Sequence, residues 1–155
     1  MPDTDPKTLV FSRLLPASPQ RTYDALIDPA ARQIWGPPDA DSVVLIDGDQ
    51  PVVEGGRETS RCGPKDNPYV TVLTDWIILA PGSRLTYAET LVAEGAPLGV
   101  TLATADLEPD ANGTRLTLTL QIVSYVGSEM LAEFEGGWTH AITNLEVYVS
   151  EGQTG

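Results

Sequence analysis

Lysine, cysteine and histidine are almost missing from this chain. Two of its 155 residues are lysines (Lys7 and Lys65), one is a cysteine (Cys62) and one a histidine (His140). One cysteine excludes an internal disulfide and a cysteine-based zinc site, and one histidine excludes a histidine-rich metal centre. A Cys–His dyad is only formally available. No Gly-x-Ser-x-Gly elbow, phosphate loop or dinucleotide fingerprint is present, and Gly55-Gly56-Arg57 is too short to count as one. No apolar run approaches the ~20 residues a membrane helix needs. Met1-Pro2-Asp3-Thr4-Asp5 lacks the basic and apolar regions of a signal peptide, so a cytoplasmic location is the default expectation. Positive charge is scarce: 9 basic against 22 acidic residues give a net charge of -13. A phosphate backbone or an anionic bilayer is repelled by that average field, so neither nucleic acid nor membrane is an expected partner. The acidic residues are scattered rather than blocked, which reads as a solubilising surface.

Apolar residues make up 41% of the chain and recur periodically, which suits one domain with a real core. That domain is expected over residues 8–150, with residues 1–7 and 151–155 loose. The longest periodic segment is the last. Leu131, Phe134, Trp138, Ala141, Leu145 and Tyr148 alternate steps of three and four, which puts them on one face of a helix. Ser128 stands at its N-cap position, and Glu133 and Glu135 lie early, where the macrodipole favours anions. The helix should run about 33 Å. Gly136-Gly137 inside it costs roughly 1 kcal/mol per glycine relative to alanine, so a close backbone approach, a cavity wall or a kink is expected there.

Ahead of this helix the pattern is mostly strand. Leu9 to Leu15 alternates and stops at Pro16. Ser18-Pro19 opens one short helix carrying Tyr23, Leu26 and Ile27; Asp28-Pro29 opens a second, which ends at Trp35 before Gly36-Pro37-Pro38. Further strands are expected at 42–46, 57–62, 69–79, 84–92, 98–107 and 114–124. The last is the clearest, with Leu116, Leu118, Leu120 and Ile122 alternating against polar residues and Asn112-Gly113 as a hairpin turn. One strand, two small helices, a run of antiparallel strands and one long helix make an α+β layout. A bent sheet clasping a straight helix leaves a gap between them, and a ligand would sit there.

These residues resemble a known family. Ala17 to Pro29 followed by Trp35 is similar to the opening of the Hsp90-ATPase-activator-like members of the START-like, SRPBCC superfamily. Gly55-Gly56-Arg57 resembles the mid-chain glycine pair, and Ala80 to Tyr87 the proline, arginine, leucine corner. Gly113 to Thr119 resembles the penultimate strand, and Gly137-Trp138 with Leu145 the last helix. The likeness covers nearly the whole chain in order. It implies a helix-grip fold, a curved antiparallel sheet around a long C-terminal helix, with an internal, mostly apolar cavity. Carriers, polyketide cyclases and cochaperone domains share that fold, so it implies no single activity.

The expected ligand-binding residues are Trp35, Arg61, Trp76, Tyr87, Phe134 and Trp138: five aromatics on elements that should surround the cavity, and one arginine. Arg57 and Arg61 share a strand face and either anchor a carboxylate at the cavity mouth or pair with acids outside. Cys62 points the opposite way and reads as structural. Asp75 interrupts an apolar row; facing inward it would have a raised pKa and serve as an acid or base, whereas a bulge or edge position is the ordinary explanation. His140 lies off the apolar stripe, where a surface position is expected. The expectation is therefore a non-catalytic binder of a small apolar or aromatic molecule with no cofactor and no metal. The alternatives are a polyketide-cyclase-like enzyme, for which Asp75, Arg61 and Tyr87 would be the first residues to test, and a cochaperone-like interaction module. A homodimer is left open.

Overall fold

The computed structural model describes residues 4–151. It has the helix-grip architecture: a curved, seven-stranded antiparallel sheet around one long helix, with two short helices after the first strand. Along the chain the elements are β1 (Asp5–Leu15), α1 (Pro19–Ile27), α2 (Pro29–Trp35), β2 (Ser42–Ile46), β3 (Arg57–Pro64), β4 (Val70–Ala80), β5 (Arg84–Ala93), β6 (Ala96–Asp110), β7 (Gly113–Ser124) and α3 (Glu129–Glu151). The sheet order is β1-β7-β6-β5-β4-β3-β2, so six strands form a meander and β1 returns beside the last of them.

Several boundaries differ from expectation for physical reasons. β1 starts at Asp5 rather than Leu9, because β7 supplies a partner for every residue from Asp5 (opposite Ser124) to Leu15 (opposite Thr114). Pro6 is tolerated because β1 is an edge strand. Of the ends expected to be loose, residues 1–3 and 152–155 lie outside the described residues, while Lys7 is anchored to Glu135 of α3 at 3.1 Å. The β6–β7 turn is Ala111-Asn112, not Asn112-Gly113: Asp110 already pairs with Gly113, and Ala111 takes the positive φ of 52°. Gly113 is needed for a close approach instead, since a Cβ there would lie 2.2 Å from the Leu15 carbonyl oxygen. In β4 a register shift between Trp76 and Ile78 breaks the alternation. Val72, Thr74 and Trp76 are buried, Ile77 and Ile78 are both exposed, and Leu79 turns back onto the core.

The helix starts follow their sequence signals in part. The Ser18 hydroxyl accepts the Arg21 backbone N–H at 3.1 Å, whereas Asp28 sits at the N-cap of α2 without a side-chain cap bond. Ser128 precedes α3, and its carbonyl accepts from Leu131 and Ala132.

The solid core lies on one side of the molecule. Leu116, Leu118, Leu120 and Ile122 of β7, all buried, meet Ala141, Ile142, Leu145 and Val149 of α3, with Tyr23, Ala25 and Leu26 of α1 completing the layer. The helix packs against β1, β7, α1 and α2. The inner faces of β3, β4 and β5 are left to line open space.

Candidate functional site

That space is a cavity of about 360 Å³ between the first half of α3 and the concave face of the sheet. Strand alternation decides its lining. β3 turns Glu58, Ser60 and Cys62 inward, β4 turns Val72, Thr74 and Trp76, and β5 turns Leu85, Tyr87, Glu89 and Leu91. The helix contributes Met130, Glu133, Phe134, Gly137 and Trp138; the end of α2 contributes Arg32 and Trp35; Pro38 and Tyr69 stand at the rim. Gly137 answers the question posed by the glycine pair. A Cβ there would lie 2.8 Å from the Pro38 Cβ, so its missing side chain lets the loop after α2 meet the helix, whereas Gly136 has open space around it.

Five of the six expected ligand-binding residues are brought together: Trp35, Trp76, Tyr87, Phe134 and Trp138 all line the cavity. Trp76 and Tyr87 meet edge to face at 5.5 Å. The Trp35 indole N–H is already taken by the Ala25 carbonyl at 2.8 Å, but the Trp76 indole N–H, fully buried, has no acceptor among the described residues. Arg61 is the correction. It lies on the outer face of β3, half exposed, 3.8 Å from Asp47, because the residues that alternate inward are Glu58, Ser60 and Cys62. Arg57 is outside as well and forks onto Asp75 at 2.7 and 3.0 Å. That hydrogen-bonded pair pulls the Asp75 carboxyl below the usual carboxylate range, so the raised pKa that an inward Asp75 would have is not found. His140 is exposed.

Sequence reasoning missed the polar floor. Glu58 is 1% exposed and accepts two hydrogen bonds from Arg32, at 2.7 Å from Nη1 and 2.6 Å from Nη2. Arg32 also donates from Nε to the Ile27 carbonyl at 3.2 Å, and its guanidinium lies 5.2 Å over the Trp76 ring. Glu89 faces the same cavity without a hydrogen bond of its own among the described residues. Desolvation pushes its pKa up to about 7; Arg32 opposes this shift and Glu58 reinforces it. Burial, with Glu89 and Asp39 nearby, pushes the Cys62 thiol up to about 11, which disfavours the reactive thiolate. Burial, followed by Glu89, also raises the Tyr87 phenol. The signal for these residues was parity: Glu58 is in phase with Cys62, and Glu89 with Tyr87.

A second groove, of about 430 Å³ and more open, runs beside Arg21, Asp24, Val52 and Tyr148 and holds none of the expected residues. No helix among the described residues is long and apolar enough to cross a membrane.

Residues 7–145 match the family described as "Polyketide cyclase / dehydrase and lipid transport". Among curated proteins no significant match is found. Solved structures of similar fold include a protein from Rhizobium loti, 27% identical with a TM-score of 0.78, covering 94% of this chain and 98% of that one. A Chromobacterium violaceum protein is 24% identical with a TM-score of 0.78, over 92% of this chain and 96% of that one. DynU16, a protein of the dynemicin biosynthetic locus, is 18% identical with a TM-score of 0.66; 94% of this chain aligns to 48% of DynU16. The last two likenesses speak to the fold alone.

Proposed function

The chain belongs to the polyketide cyclase / dehydrase and lipid transport family, and from that premise we propose that it is a binding protein that holds a small apolar or aromatic molecule between α3 and the sheet. The observation that carries this reading is the aromatic-lined cavity itself, about 360 Å³ and walled by Trp35, Trp76, Tyr87, Phe134 and Trp138. An apolar ligand gains roughly 25 cal/mol for each Å² of apolar surface it removes from water there. Native mass spectrometry of the purified chain, looking for a co-purified small molecule, tests it. Trp138→Ala should weaken binding of that molecule more than it lowers stability; a variant with unchanged affinity counts against the reading.

One observation favours a second reading, an enzyme of the cyclase kind. Glu89 is a cavity carboxyl poised near neutrality, the range in which an acid–base group works best. In that case Glu89 and Tyr87, not Asp75 or Arg61, are the groups to test. Loss of turnover in Glu89→Gln without loss of fold would support this alternative; turnover that survives the exchange would take Glu89 out of it, and no turnover in the parent protein would remove it. Nearer kinship with the Hsp90-ATPase-activator-like members rests on the opening motif Ala17 to Pro29 and Trp35, and an interaction role would need no such cavity.

A further inference from the structure

We infer that the cavity selects a cation: a protonated amine carried on an aromatic or otherwise apolar body, with Glu89 as its counter-charge. This rests on the cavity holding an apolar ligand at all, and it adds the sign of the ligand's polar group.

Charge complementarity is the first argument. The charged side chains of the lining are Arg32, Glu58, Glu89 and Glu133. The one cation among them is engaged: both terminal nitrogens of Arg32 lie on Glu58 at 2.6 and 2.7 Å, and its Nε lies on a backbone carbonyl. A carboxylate or phosphate ligand would find no free cation in the lining and two further acids facing it. An ammonium group finds Glu89, which has no ion pair or hydrogen bond of its own among the described residues. Glu89 is flanked across the strands by Thr74 and Thr101, both buried and both neutral. A cation placed there would pair with a carboxylate that has no direct partner, Arg32 acting on it only at longer range, and burial makes such pairing strong.

The walls suit the same ligand. Aromatic faces attract cations through their quadrupoles, and this wall already holds one, with Arg32 lying 5.2 Å over Trp76. Trp76 pairs with Tyr87 and Glu89 with Thr74, so Trp76 and Glu89 are diagonal neighbours, about 7–8 Å apart at the backbone.

The reading also has a pH dependence. The groups that face Glu89 are Arg32 from α2, Glu58 and Cys62 from β3, Tyr87 from its own strand and Glu133 from α3. Cys62 and Tyr87 lose their protons only well above neutrality, and Arg32 and Glu58 are locked in their ion pair. Ionisation of Glu89, at about pH 7, therefore sets the local charge between pH 6 and 8.

The test uses three near-isosteric probes on the full chain, read by calorimetry: naphthylmethylamine, naphthylmethanol and naphthoate. At pH 8 the amine should bind at least tenfold more tightly than the alcohol, with naphthoate weakest, and its affinity should rise about tenfold between pH 6 and 8 as Glu89 ionises. Glu89→Gln should abolish both the preference and the pH dependence. Naphthoate binding as tightly as the amine, or an amine preference that survives Glu89→Gln, overturns the inference while leaving the apolar-ligand reading standing. If the alcohol binds best and weakens as pH rises, Glu89 is a neutral hydrogen-bond donor and the cation is wrong. If none of the three binds, the cavity reading fails together with this one.

Discussion

Replacing Glu58 by alanine should be among the most damaging single changes in this protein. The carboxylate is 1% exposed and takes both terminal nitrogens of Arg32, whose side chain is 14% exposed. Without Glu58 the guanidinium keeps the Ile27 carbonyl at 3.2 Å and the Trp76 face at 5.2 Å, which leaves it short of a counter-charge. Removing one partner of a buried pair costs about 3–5 kcal/mol, chiefly because the other charge stays buried and uncompensated. Glu89 can ionise and supply part of the missing charge, which places the expected loss near the lower end. In a domain of this size each kcal/mol lowers the thermal midpoint by roughly 2–4 °C, so a fall of about 6–12 °C is expected. Urea denaturation followed by tryptophan fluorescence measures the loss directly. The paired exchange Arg32→Met with Glu58→Leu removes both charges at similar volume and should return to within about 1 kcal/mol of the parent. The reasoning is refuted if Glu58→Ala costs less than about 1 kcal/mol, or if the double exchange is as unstable as the single one.

Other outcomes follow from the same geometry. Gly136→Ala should stabilise the protein by about 0.5–1 kcal/mol, since open space surrounds the new methyl group and alanine is the better helix former, whereas Gly137→Ala should show no such gain and should weaken ligand binding as Pro38 is pushed aside; paired denaturation curves and a binding titration separate the two. Glu89 has a folded-state pKa above its ordinary value of 4.5, so its contribution to stability is complete below pH 4.5 and is lost as pH rises through about 7. Glu89→Gln should therefore raise the thermal midpoint at pH 8 more than at pH 4.5. Cys62, with its thiol near pKa 11, should react with iodoacetamide at pH 8 far more slowly than a free thiol, and more slowly still when a ligand fills the cavity; mass spectrometry of the alkylated protein follows both rates.

Much of the fold was legible along the chain because its cues are local. The three- and four-residue steps from Leu131 to Tyr148 describe α3, and period-two alternation describes β7 from Leu116 to Ile122. Ser18-Pro19 marks the start of α1, with the cap bond in place. The aromatics were expected because the family resemblance implies a cavity and they stand on elements around it; Trp35, Trp76, Tyr87, Phe134 and Trp138 do line the hollow. Boundaries were less legible. β1 extends to Asp5 because a distant strand supplies the pairing, and Gly113 serves a contact with Leu15 that lies about a hundred residues away in sequence. Arg61 was misjudged because alternation gives two faces without saying which one is inner, and a charged strand carries no apolar side to settle it.

The sequence by itself determined the element types, their order and the mixed α+β class, because hydrophobic period, proline and glycine act within a few residues of where they stand. It also determined the poverty in cations that makes Arg32 the lone positive charge of the lining. Only the tertiary structure decided that Arg32 would meet Glu58, that Asp75 would be held outside by Arg57, and that Glu89 would face the hollow with no partner of its own. Those outcomes depend on sheet register and on where the helix rests. Both are set by burial summed over the whole chain, and no short stretch of residues contains that sum.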